Sequence, residues 1–134
     1  MRIGVLVPFT NTVLERDLEA LRPPGSTTYV TRVGGYDDVL LPDAAAMKSM
    51  GNASIDDALA LLAGVCPDVV LYGCTSATLT HGLDFDAELR GHIETATGAR
   101  AITAAGAMVF ALRDLGVKNV SFASPYTRDV ADEG

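Results

Sequence analysis

The sequence predicts a doubly wound α/β fold, with a parallel β-sheet and helices on both faces. Three observations support this fold class. Short, continuous runs of β-branched and aliphatic residues recur along the chain, and such runs are typical of strands buried on both faces. Longer segments with the apolar period of amphipathic helices lie between them. Glycine and proline breakers separate the two, and a regular alternation of strand and helix favours a parallel sheet.

The elements follow one another in a simple order. Five strands are predicted, at Ile3–Val7, Thr27–Val33, Asp68–Tyr72, Arg100–Thr103 and Asn119–Ala123. The first helix runs to about Leu21 and begins at a capping box formed by Thr12 and Glu15. Further helical segments are predicted from Pro42 to Ala63 with an interruption at Gly51-Asn52, from Asp86 to Thr97 with Gly98 as its C′ residue, from Ala104 to Leu115, and from Arg128 onward.

The composition limits the possible function classes. The chain has 134 residues, 49% of them hydrophobic, which is enough for one domain with its own core. Its net charge is −7 and it has no basic patch, so we expect no nucleic-acid partner. No apolar run approaches the ~20 residues that span a bilayer, and the first apolar run is too short for a signal peptide. We therefore expect a cytoplasmic protein with no membrane partner.

No pattern in the sequence indicates a metal or a cofactor. Cys66 and Cys74 are eight residues apart, which fits neither a C-x-x-C redox motif nor a zinc site. His81 and His92 lie near no cluster of further ligands. The glycine-rich dinucleotide and phosphate-loop motifs are absent from the sequence. The sequence therefore gives no support for a metal site or for dinucleotide or Walker-type nucleotide binding.

Cys74 is the candidate reactive residue. It follows the strand Asp68–Tyr72, at the edge of the sheet where open α/β folds place their chemistry. A lone cysteine is more often an inert, buried residue, because exposure and pKa decide its reactivity. Here the next residues begin a helix with free backbone N–H groups, which predicts a lowered thiol pKa and a usable base or nucleophile. Cys66 precedes the strand, at the opposite end, and is interpreted as structural.

Three loops are expected to meet around Cys74, because they leave the same edge of the sheet. They are Pro8–Thr12, Gly73–Thr78 and Ser124–Thr127, and none of them contains a carboxylate. Their candidate hydrogen-bond donors are Asn11, Thr75, Ser76, Tyr126 and Thr127. A thiol surrounded by neutral donors suits a small mono- or dicarboxylate, since the donors can also stabilise charge that develops as an enediolate forms.

At this point the sequence resembles a known family. The motifs that carry the resemblance are Arg2-Ile3-Gly4-x-x-x-Pro8-x-x-Asn11-Thr12, Gly73-Cys74-Thr75-Ser76 and Ser124-Pro125-Tyr126-Thr127. In this order, and with these strand contexts, they resemble the maleate isomerase and arylmalonate decarboxylase branch of the aspartate/glutamate racemase superfamily. The resemblance covers nearly the whole chain, and it is more specific to the superfamily than to one activity.

The resemblance implies a flavodoxin-like lobe of a two-lobe racemase-type fold, with the active site between the lobes and one functional cysteine from each. Cys74 would be the first-lobe cysteine, Asn11, Thr75, Ser76 and Tyr126 would bind substrate carboxylates, and Pro8 would shape the pocket. Residues 1–100 would form the first lobe, and residues 101–134 the crossover and the beginning of the second. We expect a truncated chain whose second-lobe cysteine would lie beyond Gly134, and a homodimer that could complete the site.

The function implied is a cofactor-independent isomerase or racemase, with maleate cis–trans isomerisation as the leading hypothesis. Cys74 would add to the alkene, the bond would rotate, and elimination would give fumarate. One alternative is an aspartate/glutamate-type racemase. Another is an arylmalonate decarboxylase-like enzyme, although such members lack the first-lobe cysteine. A third is a non-catalytic, flavodoxin-like binding module, suggested by the hydroxyl-rich turn Thr10-Asn11-Thr12.

Overall fold

The chain forms a parallel β-sheet with helices around it, as the sequence predicts. A computed structural model describes residues 1–34, 55–81 and 84–133. Within them the sheet has four parallel strands in the order β2-β1-β3-β4. The strands are β1 (Arg2–Pro8), β2 (Thr27–Val33), β3 (Val69–Tyr72) and β4 (Arg100–Thr103). The predicted fold class is confirmed, because a strand order that reverses at β1 is the mark of a doubly wound sheet.

The helices connect the strands in chain order. They are α1 (Leu14–Leu21), α2 (Asp56–Ala63), α3 (Thr75–Leu79), α4 (Phe85–Thr97), α5 (Ala104–Asp114) and α6 (Arg128–Glu133). Helix α4 ends at Gly98, whose φ of +69° is a left-handed conformation that glycine adopts without strain, as predicted. Among the described residues, no helix is long and apolar enough to cross a membrane.

The core lies between the sheet and the pair α2 and α4, which also contact each other. Leu6, Val70 and Tyr72 from the central strands belong to the same buried cluster as side chains of these helices. The helix contribution comes from Ala58, Leu59, Leu62, Leu89 and Ile93. Strand β1 is central and buried on both faces, which explains why its sequence is continuously apolar rather than alternating.

The parallel register places three strand ends at one edge of the sheet. Leu6 of β1 lies beside Tyr72 of β3, and Tyr72 lies beside Thr103 of β4. The segments that follow β1, β3 and β4 therefore all begin at this edge. Two of these segments are loops named in the sequence analysis, at Pro8 and at Gly73.

The predicted capping box at the start of α1 is wrong. The helix begins at Leu14, and its N-cap residue Val13 makes no side-chain cap. Instead, Oδ1 of Asn11 accepts hydrogen bonds from the backbone N–H groups of Val13 and Leu14, both at 2.9 Å. Asn11 thus provides the side-chain cap of this turn in place of Thr12, and the Glu15 carboxylate pairs with Arg32 of β2.

The predicted fifth strand is also wrong. Residues 119–123 form no strand in the structure, and all five are exposed. A β-strand is defined by backbone pairing with a neighbouring strand, and this segment pairs with none of the four strands of the described sheet. The apolar composition of Asn119–Ala123 is therefore not sufficient to form one. The predicted helical residues from Pro42 to Ser54 lie outside the described residues.

Candidate functional site

The loop after β3 carries Cys74. The backbone N–H of Gly73 donates a 2.8 Å hydrogen bond to the carbonyl of Leu6, which extends the pairing of β3 with β1 by one residue. Cys74 then adopts an extended conformation and immediately precedes α3. Its side chain is 6% exposed and belongs to the core cluster. The thiol is therefore held at the sheet edge by rigid elements on both sides.

The sulfur of Cys74 faces hydrogen-bond donors of α3. The hydroxyl oxygen of Ser76 lies 3.7 Å from the sulfur. The backbone N–H groups of Ala77 and Ser76 also lower the pKa of the thiol. Ser76 is itself buried, with 6% exposure, so the donor set lies in a region of low water content. Such donors can stabilise a thiolate or another anion at this position.

The predicted lowering of the thiol pKa is wrong for the chain as the structure describes it. Burial raises the pKa of Cys74, and this effect exceeds the lowering by the N–H groups of Ala77 and Ser76 and by the Ser76 hydroxyl. Burial, together with the neighbouring Cys74, also raises the pKa of the Tyr72 phenol. The loss of solvent around the sulfur outweighs the donors, because the charged form loses most of its hydration.

The loop after β1 lies beside the Cys74 loop. Pro8 is buried at the end of β1, and Asn11 is half-buried just before α1. A Cβ atom on Gly73 would overlap Cδ2 of Leu14, the first residue of α1. The start of α1 therefore lies against Gly73, one residue from Cys74. The structure thus brings two of the three predicted loops together.

Arg32, which the sequence analysis did not identify, binds the backbone of the β1–α1 loop. Its Nη1 donates to the carbonyl of Asn11 at 2.8 Å. The same nitrogen lies 3.2 Å from the carbonyl of Phe9 and 3.4 Å from that of Pro8. Its Nη2 forms a 2.7 Å ion pair with Glu15. An available signal was its place near the end of the predicted strand Thr27–Val33, at the same sheet edge as the loops.

Two threonines of the Cys74 region are bonded to their own backbone. Thr78 Oγ1 donates to the carbonyl of Cys74 at 3.0 Å, and Thr80 Oγ1 donates to that of Ser76 at 3.1 Å. Both side chains are buried, so these bonds stabilise the short helix α3. Thr75, the first residue of α3, is half-buried. Its role as a substrate donor stays a prediction.

Tyr126 and Thr127 precede α6, which contacts α3 and buries Val130. The carbonyl of Thr127 accepts a hydrogen bond from the N–H of Ala131 at 3.0 Å. In the described part of the chain, neither side chain makes a hydrogen bond to the Cys74 loop. The third predicted loop is thus connected to the site through α6, and the binding roles of Tyr126 and Thr127 stay predictions.

A second polar cluster lies where β4 meets α5. Thr103 Oγ1 donates to Oδ1 of Asp86 and accepts a 2.9 Å hydrogen bond from the N–H of Gly106. Asp86 also forms a 2.9 Å ion pair with Arg90. The Thr103 hydroxyl therefore caps α5 and is occupied within the protein. Among residues 1–34, 55–81 and 84–133, no group of three or more His, Cys, Asp or Glu side chains is placed to hold a metal ion.

The sequence of this chain is similar to those of known proteins. Residues 43–133 match a family model described as arylmalonate decarboxylase. A maleate isomerase from Pseudomonas putida is 29% identical over 98% of this chain, and one from Nocardia farcinica is 30% identical over 98%. The chain spans 55% and 54% of the length of these two relatives.

Solved structures agree with the sequence relatives. A mutant of the Nocardia farcinica maleate cis–trans isomerase, with a covalently bound succinylcysteine intermediate, superimposes with a TM-score of 0.84 at 27% identity over 98% of this chain and 56% of that chain. A structure of arylmalonate decarboxylase superimposes with a TM-score of 0.76 at 26% identity, over 99% of this chain and 56% of that one. The same fold therefore occurs in enzymes that are described by two different reactions.

Proposed function

Because the chain belongs to the arylmalonate decarboxylase family, as its sequence motifs predicted, we propose that it acts as a cofactor-independent cis–trans isomerase that converts maleate to fumarate through Cys74. The observation that carries the proposal is the buried Cys74 thiol at the end of β3, facing the donors of Ser76 and Ala77. Its similarity to two maleate isomerases supports the choice of substrate. The covalent succinylcysteine in a related isomerase supports chemistry at a cysteine.

The proposed reaction needs only the thiolate and the substrate. The sulfur of Cys74 attacks one alkene carbon of maleate and forms a C–S bond. The π-electron pair moves to the other alkene carbon and its carboxylate, which gives an enediolate. The former double bond is now a single bond and can rotate. The electron pair then returns to re-form the double bond in the trans geometry, and the C–S bond breaks to release fumarate and the thiolate.

The surrounding residues hold the two carboxylates in this proposal. The hydroxyls of Thr75, Ser76 and Thr127, the phenol of Tyr126 and the amide of Asn11 are uncharged donors that bind carboxylate oxygens without adding a competing anion. Pro8 is buried at the end of β1, and in this proposal it forms a wall of the site. The donors also favour the enediolate over the ground state, since its added charge falls on an oxygen they already contact.

The protonation state of Cys74 sets the pH dependence of the reaction. Because burial raises its pKa, the resting thiol is protonated at neutral pH. Addition requires the thiolate. The rate of adduct formation should therefore continue to rise above pH 9.0, which is the ordinary pKa of a cysteine thiol. A profile that is already flat at neutral pH would contradict this part of the proposal.

Decarboxylation of an arylmalonate is the second candidate, because the matching family model is described by that activity. The presence of Cys74 favours the isomerase, since decarboxylase-like members of the family lack this cysteine. The two candidates differ in their products. Release of carbon dioxide from phenylmalonate, without formation of fumarate from maleate, would select the decarboxylase.

A second copy of the chain is the proposed partner. Seven large hydrophobic side chains between residues 108 and 122 are exposed, among them Phe110 at 72% and Leu115 at 75%. Monomeric proteins rarely expose extensive apolar patches, and such surfaces mark interfaces. Sedimentation should therefore show a dimer that Phe110→Glu dissociates. A monomer at all concentrations would refute this assignment.

We place the protein in the cytoplasm, where free thiols such as Cys66 and Cys74 stay reduced.

The direct test incubates the protein with maleate, follows fumarate by proton NMR, and maps adducts by peptide mass spectrometry. We expect fumarate to form and one maleate to add to Cys74. Cys66→Ser should behave like the unmodified protein, since Cys66 is exposed before β3, at the opposite end of the sheet. Cys74→Ser should abolish both signals. Absence of fumarate, together with equal labelling of the two cysteines, would overturn the proposal.

A further inference from the structure

Arg32 lies beside the loop that joins β1 to α1, and its guanidinium contacts main-chain carbonyls of that loop. The loop leaves β1 after Pro8 and turns into α1, so its carbonyl groups lie beyond the sheet ladder. Phe9 N–H still donates to the carbonyl of Val33 at 2.9 Å, and Asn11 N–H donates to that of Pro8 at 2.9 Å. These bonds satisfy donors of the loop, whereas the carbonyls of Phe9 and Asn11 face the guanidinium of Arg32.

The distances rank the contacts of this guanidinium. The bond from Nη1 to the Asn11 carbonyl is the shortest of the three, at 2.8 Å, and the Phe9 and Pro8 carbonyls lie at 3.2 and 3.4 Å. A nitrogen with two hydrogens cannot make three good bonds, so Asn11 is the main acceptor and Phe9 the second. Nη2 is occupied by Glu15 at 2.7 Å, which fixes the plane of the group.

The positive charge of Arg32 is paired with Glu15, and this pairing limits how strongly Arg32 can attract an anionic substrate. Glu15 neutralises it across the ion pair, and both side chains are about two-fifths exposed, at 41% and 42%. The residue is therefore a weak electrostatic attractor for an anionic substrate in water. Its effect on the site is geometric, because it holds the backbone of the loop from which Asn11 projects.

Asn11 links the Arg32 contact to the proposed carboxylate-binding site. Its Oδ1 is taken by the N–H groups of Val13 and Leu14, which leaves the two N–H bonds of its amide as the donors for a carboxylate oxygen. The main chain of Asn11 is fixed by Arg32, and its side-chain oxygen is fixed by α1. Both constraints together set the direction of the remaining donors.

We propose that Arg32 is a positioning residue for carboxylate recognition: it holds the main chain at Asn11 so that the Asn11 amide meets a substrate carboxylate. The inference rests on the proposed function, since it assumes a carboxylate ligand beside Cys74. It predicts that a lysine at this position does not suffice. A single ammonium cannot bond the Asn11 carbonyl and Glu15 in the fixed, planar arrangement of a guanidinium.

The test measures how maleate protects Cys74 against alkylation by iodoacetamide, read site by site by mass spectrometry. For each variant, the half-protecting maleate concentration is determined relative to that variant's own alkylation rate without maleate. We expect Arg32→Lys and Arg32→Ala to raise this concentration roughly tenfold, the effect of losing a hydrogen bond to a charged group. Glu15→Gln should raise it less than about threefold, because the bonds to the loop carbonyls remain.

Arg22 offers a matched control at the other end of α1. Its Nη1 also donates to a main-chain carbonyl, that of Ser26, and it faces Glu19 at 3.8 Å. Arg22→Lys should leave the half-protecting concentration unchanged. Added guanidinium at low concentration should restore protection to Arg32→Ala, whereas ammonium should not. A residue that only stabilised the fold would show neither the contrast with Arg22 nor this rescue.

The possible outcomes distinguish a failure of the Arg32 proposal from a failure of the proposed function. If maleate protects the unmodified protein, and protects the Arg32 variants at the same concentration, the role of Arg32 is refuted and the proposed function stands. If maleate does not protect the unmodified protein, the proposed function fails, and the inference fails with it. Loss of protection in Arg22→Lys equal to that in Arg32→Lys would also refute the positioning role.

Discussion

Replacing Gly73 with alanine tests how closely the Cys74 loop is packed against α1. A Cβ atom at this position would overlap Cδ2 of Leu14 and would lie 3.3 Å from the carbonyl oxygen of Leu6. The tip of Leu14 can rotate away. The Leu6 carbonyl has less freedom, because it accepts the 2.8 Å hydrogen bond from Gly73 itself. Relief therefore requires the Leu14 side chain to rotate and the Cys74 loop to move by a few tenths of an ångström away from β1.

Two opposing effects set the change in the free energy of unfolding that Gly73→Ala should cause. Overpacking of a close contact costs about 1 to 3 kcal/mol. Gly73 is not in the left-handed region, so an alanine there gains about 0.4 to 1 kcal/mol from the lower entropy of the unfolded chain. We expect the free energy of unfolding to fall by roughly 1 to 2 kcal/mol. For a chain of 134 residues, each kcal/mol corresponds to roughly 3 to 5 °C in Tm.

Gly91→Ala is the matched control for this substitution. Gly91 lies within α4, is exposed, and a Cβ there would meet nothing within 4 Å. The same change should stabilise the protein by up to about 1 kcal/mol, the difference in helix propensity between glycine and alanine. Urea unfolding gives both values from the midpoint, provided that the m-value is unchanged. The reasoning is refuted if Gly73→Ala is as stable as the unmodified protein, or if both variants change in the same direction.

Three further predictions follow from individual side chains. Ser76→Ala should move the alkylation midpoint of Cys74 to higher pH, because the hydroxyl lowers this pKa; an unchanged midpoint would contradict its contact with the sulfur. Burial raises the pKa of Cys74 above the ordinary 9.0, so the folded state keeps a proton that the unfolded chain loses, and stability should decline above pH 9.0. The decline is at most about 1.4 kcal/mol per pH unit for one group, and Cys74→Ser should reduce the slope in urea titrations. Thr103→Val should lower the free energy of unfolding by about 1 to 2 kcal/mol in urea titrations, through loss of the α5 cap. Thr95→Val, on the exposed face of α4, should change it by less than about 0.5 kcal/mol.

The strands could be predicted closely because their signal is local. Thr27–Val33 and Arg100–Thr103 match the observed strands, β1 extends one residue further at each end than predicted, and β3 begins one residue later. Strand β1 is a short apolar run, as burial on both faces requires, whereas the edge strands β2 and β4 are only partly buried and are marked by their β-branched residues. Asn119–Ala123 has a similar composition and still forms no strand, because pairing depends on a neighbour that a local pattern does not reveal.

The start of α1 was mispredicted because several side chains compete for the same groups. Thr12 and Glu15 have the spacing of a capping box. In the folded chain, Asn11 takes the N–H groups at the helix start, and Arg32 binds Glu15 from a neighbouring strand. The Arg32 contact joins residues 17 positions apart. Sequence spacing alone therefore could not rank these alternatives.

The same limit explains the reversed pKa prediction for Cys74. The sequence correctly places backbone donors after the thiol, and these donors do lower its pKa. What it does not show is that Tyr72, Ala77 and other core residues remove water from the sulfur. Desolvation acts on the full charge of the thiolate, whereas each donor recovers part of that lost hydration. The reactivity of Cys74 is thus governed less by the motif around it than by what covers its sulfur, so any contact that adds a donor to the sulfur or admits water there would lower the pKa toward the range that the proposed addition step requires.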